Sequence, residues 1–482
     1  MKQEMKIGHF IGGEWISAAG GSSIAVENPA NCDVIAEVPA GGKADAEKAL
    51  DAASAASRAW ARTPAVERAA YLQKVAVLLR ERLDSFATTI MAEQGKPLSQ
   101  ARGEVLGAAQ QLEYHAQWAR RIEGDAIASD NVGEHILILR VPYGVVVGLI
   151  PWNYPLSVTA RKVAPALVAG NTIVVKPHEV TPLSAMRLAA LFEEVGLPRG
   201  VLNVVTGIGT EVGEALVGSI KTNLITLTGS VRAGREVMRR AADHISQVSL
   251  ELGGKAPFIV CEDADLDLAA ERAVFARFRN CGQVCTSNER TYVHQSVFQP
   301  FTDKFLDRVR SLRVGDPQSD PDVGPKVSRP ELEKVEAMVA RAVEQGARVL
   351  AGGGRMTGAP FDRGHWFQPT VLTDLDPSMD IVRQEVFGPV ASLLPFSDFD
   401  DALRQANDSD YGLSAYLFTR DYRNVMRAIN ELEFGEVYVN RVGPEAVNAY
   451  HTGYRLSGIG GDDGRYGFET YMRKKTIYLS AN

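Results

Sequence analysis

Between residues 143 and 253 the chain alternates short, fully apolar runs with stretches of helical spacing. The runs are "NTIVVKP", "VLNVVTG", "NLITLTGS" and "VSLELGG"; "PLSAMRLAALFEEVG", "GEALVGSI" and "RAGREVMRRAA" separate them. Strands without polar alternation are buried on both faces, and strands separated by helices run parallel. The stretch therefore predicts a parallel sheet with helices on both sides. Ligands of such sheets bind beyond the carboxyl ends of the strands.

Past "ELGGKAP" a second α/β series begins, with "PFIVC", "DLDLAAERAVFARFRN", "RTYVH", helices over 297–312 and 330–346, and then "FGPVASLLPF", "SAYLFT" and "GEVYVN". Two cores are expected, joined near residue 253. Upstream, apolar positions recur at helical spacing from about 44 to 122 and predict three amphipathic helices. "HILILRVPYGVVVGLIPW" is rich in β-branched residues around a turn-forming Pro-Tyr-Gly, and reads as a pair of strands joined there.

The 482 residues are 45% apolar and 23% charged, with a net charge of −7, and no Lys/Arg block could track a phosphate backbone. No nucleic-acid partner is expected. The most apolar stretch, "YGVVVGLIPWNYP", falls short of the roughly 18 residues a membrane helix needs, and the N-terminus has no apolar leader. A cytoplasmic protein without a membrane partner is expected. Four cysteines (Cys32, Cys261, Cys281, Cys285) make no disulfide framework, and the C-x3-C of Cys281 and Cys285 is half a zinc site at most, so no metal is expected.

The remaining motifs lie at the ends of the apolar runs. "VVTGIGTEVGEALV" carries Gly207, Gly209 and Gly213 and is either a phosphate-binding turn or a plain tight one. In "LTGSVRAG", Gly229 permits close backbone approach, and Ser230 can cap a helix whose first amides suit a pyrophosphate. Lys176 and Glu179 in "VVKPHE" are either solvated charges or ligands of a ribose; a carboxylate there repels a 2′-phosphate and favours NAD over NADP. Cys285 in "GQVC" would need an oxyanion donor and a second base to act as a nucleophile. Asn153, fixed between prolines in "PWNYP", suits the first role or is a turn asparagine. Glu251 in "LELGGK" suits the second or belongs to a salt bridge.

Together, and in this order, "PWNYP", "GNTIVVKPHE", "LTGS", "LELGGK", "GQVC", "EVFGPV", "ANDSDYGLSA" and "SGIGG" resemble the aldehyde dehydrogenase superfamily over essentially the whole chain. The resemblance implies a Rossmann-type NAD-binding domain (1–119 and 143–252), an α/β catalytic domain (253–456) and a small β oligomerisation domain (120–142 and 457–482) that joins a homodimer or homotetramer. It implies Cys285 as nucleophile, Cys281 as a neighbour without a chemical role, and Asn153 with the Cys285 N–H as oxyanion donors. Glu251 becomes the base that hydrolyses a thioester to a free acid, since members that acylate coenzyme A generally lack it. Lys162 in "ARKVAPAL" matches a proton-relay lysine whose partner is Asp462 or Asp463. The cofactor would lie on Pro151, Trp152, Lys176, Glu179, Gly209, Gly213, Gly229, Ser230, Leu252, Glu385 and Phe387.

The loop "NRVGPEAVNAYHTGYRLSGIGGDDG" resembles that of bacterial lactaldehyde/glycolaldehyde dehydrogenases, which carry an acid, a histidine and an arginine at the places of Glu445, His451 and Arg161. The chain departs from them at Thr286, where asparagine is expected. A short 2-hydroxyaldehyde is the substrate this implies. A semialdehyde or sugar-derived aldehyde held by Arg161, a purely structural ion-pair network, and an inert scaffold are the alternatives.

Overall fold

The apolar runs form the strands their composition requires. In the computed structural model, which describes residues 6–480, Leu202–Val204, Thr172–Lys176, Val145–Leu149, Leu224–Thr228 and Gln247–Glu251 lie side by side in that order, all parallel. The chain steps one way twice from Val145–Leu149 and then crosses to its other side. A crevice opens at that reversal, beyond Leu149 and Thr228. The antiparallel hairpin His9–Ile11/Glu14–Ile16 closes one edge and Gly458–Ile459 the other.

The second sheet has the order Arg348–Ala351, Thr370–Thr373, Val390–Phe396, Asn288–His294, Ala256–Val260, Ser414–Phe418, Glu436–Val439, parallel except at its first strand. Only four residues separate Gln247–Glu251 of the first sheet from Ala256–Val260 of the second. That short joint brings the carboxyl end of one sheet against the loops of the other. Among the described residues no helix is long and apolar enough to cross a membrane.

Two expectations need correction. Glu134–Pro142 and Val145–Leu149 do not pair with each other. The first is the centre of a three-stranded antiparallel sheet with Asp125–Ile127 and Met472–Ser480, while the second lies deep in the parallel sheet. Burial explains the separation: Val145, Val146 and Val147 are wholly enclosed, whereas Glu134–Pro142 has no fully buried position. The expected three upstream helices are four, because the middle run breaks at Arg82 into Ala65–Glu81 and Leu83–Gln94; Lys43–Arg62 and Leu98–Ala116 flank them. Gly458–Ile459 pairs with Leu250 and Glu251 before the chain reaches the three-stranded sheet.

Helix Pro155–Ala169 is buried along almost its whole length, and its first turn is held by a charge from another helix. The Glu104 carboxylate accepts from the amides of Leu156 (2.9 Å) and Ser157 (3.2 Å), and Lys96 Nζ sits 2.5 Å from the same carboxylate and 2.8 Å from the Asn153 carbonyl. All of these groups are out of water, so removing the cation strands a charge. Lys96→Met is expected to lower unfolding free energy by about 3–5 kcal/mol. Denaturant titration of the variant checks this, with Lys96→Met/Glu104→Gln recovering part of the loss; a shift under about 1 kcal/mol would refute the dependence on Lys96.

Candidate active site

Cys285 lies on a loop whose backbone is bent by three consecutive left-handed residues, Asn280, Cys281 and Gly282. Gly282 must be glycine, because a Cβ there would stand 2.2 Å from the Gly388 carbonyl oxygen. The wholly buried Arg277 braces the bend, donating to the carbonyls of Gly282 (2.8 Å) and Asn288 (3.2 Å) and facing Glu289 at 3.5 Å. Glu289 in turn receives Lys255 Nζ (2.7 Å) and the amides of Val386 and Phe387 (2.8 Å each). The cysteine loop and the "EVFGPV" loop are thereby one braced unit.

Several expected residues converge on this unit. The Asn153 amide donates to the Gln283 carbonyl at 3.0 Å, two residues from Cys285. Gly254 approaches so closely that a Cβ would lie 2.4 Å from the Cys285 carbonyl oxygen, which brings the end of the Glu251 strand to the same place. Glu385 accepts from the Gly254 amide at 2.8 Å, and the Phe387 ring meets the edge of Trp152 at 5.3 Å. Cys281 is sealed, its thiol pushed up to about 11 by burial, which keeps it inert.

The buried charges around Cys285 divide into pairs. Lys162 is bonded to Asp462 at 2.6 Å, so Asp462 and not Asp463 is its partner; Asp463 faces Arg161 at 2.9 Å. His451 lies between Glu436 (3.1 Å at Nδ1) and Glu251 (3.2 Å at Nε2). Burial raises Glu251 to about 8 against the opposing pull of His451. Glu445 accepts from the Thr286 hydroxyl at 2.9 Å; burial opposes its charge, but His451, Arg279 and Arg161 prevail and hold it down at about 2.

Glu445 lies within the field of His451 and Arg161, while their ion pairs run to other groups, Arg161 to Asp463 and His451 to Glu251 and Glu436. Two neighbours escaped the sequence reading. Glu436 sits in the ordinary-looking strand "GEVYVN", and Arg279, six residues before Cys285, is a guanidinium with no ion pair among the described residues, beside Glu445, Tyr154 and Tyr416. A single arginine or glutamate in a strand or loop carries no spacing signal.

At the strand reversal a cavity of about 530 Å³ is lined by Pro151, Trp152, Lys176, Glu179, Gly209, Gly213, Gly229 and Ser230, eight of the expected cofactor residues. Lys176 and Glu179 are bonded at 2.8 Å, and Ser230 caps helix Val231–Ala242 by accepting from the Ala233 amide at 3.2 Å. A capped helix start, two glycine turns and an ion pair at a strand end fit a dinucleotide: amides for the pyrophosphate and a carboxylate for a ribose. Leu252, Glu385 and Phe387 lie outside that cavity; Leu252 packs beneath Gly234, and the other two stand on the cysteine side of Trp152. A larger groove of about 720 Å³ between Arg82, Arg187 and Glu193 holds none of these residues, and its charges pair as Arg82–Glu194 and Lys6–Glu193. Metal-ligand spacing occurs twice among the described residues, at Glu27/Cys32/His365 and at Glu436/Glu445/His451.

A Rossmann-like sheet, a cavity that fits a dinucleotide and a braced cysteine beside a buried glutamate fit an oxidoreductase. The chain belongs to the aldehyde dehydrogenase family, whose model matches residues 15–477. It is similar to the 3,6-anhydro-alpha-L-galactose dehydrogenase of Vibrio sp. (strain EJY3), 47% identical over 472 residues with 98% of each protein covered. Its identity to the lactaldehyde dehydrogenase of Escherichia coli (strain K12) is 44% over 474 residues, again 98% of each. A solved structure of 3,6-anhydro-L-galactose dehydrogenase in complex with NAP matches with a TM-score of 0.97 at 47% identity, covering 98% of this chain and 100% of that one.

Proposed function

We propose that the protein oxidises a 2-hydroxyaldehyde, a short one such as lactaldehyde or glycolaldehyde or a sugar-derived one, to the free acid with NAD. The observation that carries this reading is Glu445, a carboxylate kept charged beside the nucleophile by Thr286, Arg279, Arg161 and His451. Such an acceptor is costly beside an apolar aldehyde and useful to a hydroxyl next to the reacting carbon. The names of both relatives above denote 2-hydroxyaldehydes, which supports the same reading.

In the chemistry that follows, the Cys285 sulfur adds to the aldehyde carbon, and the Asn153 amide with the Cys285 N–H steadies the oxyanion. Lys176, Glu179, Gly229 and Ser230 would hold the adenosine end and pyrophosphate of the dinucleotide, and Glu385 and Phe387 its nicotinamide end, which would supply the hydride acceptor. Glu251 removes a proton from the water that cleaves the thioester, and the Lys162–Asp462 pair lies beside it to pass that proton outward. NADH formation with lactaldehyde, glycolaldehyde, succinate semialdehyde and propanal tests the substrate. Hydroxyaldehydes are expected to exceed propanal in kcat/KM by about 100-fold or more, and Glu445→Gln to remove most of that margin. Equal turnover of propanal would sink the proposal. A second reading, an anionic semialdehyde, is favoured by Arg279, whose Nε has no hydrogen-bond partner among the described residues; preference for succinate semialdehyde, lost in Arg279→Leu, would establish it.

Glu179, which lines the cavity and is half the Lys176 pair, argues for NAD, although one relative is described with NAP. Glu179→Gln is expected to raise the NADP:NAD ratio of kcat/KM by about tenfold, removing one repelled charge. An unchanged ratio would move the discrimination elsewhere in the cavity. A cytoplasmic setting would keep the four free cysteines reduced. The exposed strand Met472–Ser480, with Tyr478 and Leu479 in solvent, supports association of subunits through the three-stranded sheet into a dimer or tetramer.

A further inference from the structure

His451 does more in this geometry than offer a donor to a substrate hydroxyl. The residue is 2% exposed, and its backbone is pinned by two hydrogen bonds to Asp462, the partner of Lys162 (N to O, 2.9 Å; O from N, 2.8 Å). Nδ1 meets the Glu436 carboxylate at 3.1 Å, and the Glu436 side chain is itself 9% exposed. The other ring nitrogen faces the reaction centre, 3.2 Å from Glu251, and the ring is close enough to the Cys285 thiol to favour its ionised form. A nucleophile within reach of a base, with that base oriented by a third group, is the arrangement that activates thiols in unrelated enzymes.

Glu251 is the other candidate for the thiol proton, and its surroundings argue against that duty. Neither of its carboxylate oxygens has an aligned hydrogen-bond partner among the described residues, Cys285 included. Burial also favours its protonated form. We propose that His451 takes the proton of the Cys285 thiol, with Glu436 as the positioning residue that fixes the ring, leaving Glu251 to the hydrolytic step. This rests on the reading of Cys285 as the nucleophile.

The bonds balance. Glu436 accepts from Nδ1–H, so Nε2 carries the lone pair; the Cys285 S–H bond breaks, an Nε2–H bond forms, and a thiolate–imidazolium pair results. When the sulfur adds to the aldehyde, a C–S bond forms and the carbonyl π pair moves to oxygen. Oxidation to the thioester is the hydride transfer of the established activity. Water attacks with its proton passing to Glu251, the C–S bond breaks, and sulfur leaves with the electron pair beside an imidazolium that kept its proton throughout. The resting pair is regenerated with no net proton change at His451.

The charged groups facing His451 agree with this. Glu251 and Glu436 favour its cationic form against desolvation, Glu445 adds to that field, and Asp462 and Asp463 are balanced by Lys162 and Arg161. Burial keeps the Cys285 thiol above its ordinary value on balance, and the neighbouring His451 is the largest influence opposing that rise.

The test is carbamidomethylation of Cys285 by iodoacetamide in the full-length protein without aldehyde, followed by peptide mass spectrometry from pH 5.5 to 9.5. The wild type is expected to react quickly below pH 7. His451→Gln and Glu436→Gln are expected to lose about tenfold or more at pH 6.5, their midpoints rising by about one unit, and to meet the wild type above pH 9. Glu436→Asp should recover part of the loss, and kcat for propanal, which has no hydroxyl to recognise, should fall in His451→Gln. Should His451→Gln fail to fold, the Glu436 variants give the same readout. Profiles that superimpose on the wild type, or unchanged propanal turnover, would overturn the proposal. Failure of the nucleophile reading looks different: Cys285 would not be the labelled thiol, or Cys285→Ala would still form NADH.

Discussion

Cys285→Ala is expected to abolish NADH formation from every aldehyde, lowering kcat by on the order of 10⁴-fold or more while leaving cofactor binding intact. The size of the loss follows from the absence of any substitute. The nearest other thiol, Cys281, is sealed by Gly282, Arg277 and the Gly388 carbonyl and held protonated by burial. Cys261 is likewise buried, its thiol pushed up to about 12 by burial, and it belongs to the second sheet's core. Titrating NAD fluorescence quenching in parallel with turnover separates the two effects, because the 530 Å³ cavity draws no residue from the cysteine loop. Residual activity within about tenfold of the wild type would mean that the braced loop serves some other purpose.

Glu251→Gln should behave differently. One equivalent of NADH is expected per active site in a rapid burst, followed by a steady rate lower by about 10²–10⁴-fold, because acylation proceeds and hydrolysis of the thioester stalls. Intact-mass spectrometry during the stall should find the acyl group on Cys285. The pH dependence has a definite sign. Burial raises Glu251 to about 8, and a general base works only when deprotonated, so the hydrolytic rate of the wild type climbs from pH 6 through pH 8 and levels above it. In Glu251→Gln that climb is expected to vanish. A variant with a full-sized steady rate, or one lacking the burst, would remove Glu251 from the hydrolytic step.

Much of the architecture was legible because it rests on local, repeated constraints. Apolar runs such as "TIVVK" tolerate only a position buried on both faces, and Ser230 before "VRAG" caps its helix as its chemistry demands. The order of motifs brought eight of the eleven expected cofactor residues to one cavity and Asn153 to the cysteine loop. The middle upstream helix was misread because a break at Arg82 needs no glycine or proline to announce it. The pairing across Pro-Tyr-Gly failed because a turn signal says where a chain bends and not which sheet each arm joins.

By itself the sequence determined the parallel sheets, their joint near residue 253, and the chemical types gathered at their ends. Tertiary structure alone decided the pairing of the charges. Asp462 and Lys162 are 300 positions apart, and Glu445 and Thr286 are 159 apart. Neighbouring Asp462 and Asp463 are indistinguishable in the sequence, yet one meets Lys162 and the other Arg161, because Asp463 adopts a positive φ and turns its side chain elsewhere. The same holds for His451, Glu436 and Arg279. Secondary structure is written in neighbours three or four residues apart, whereas a buried ion finds its partner only when distant segments close together and exclude water.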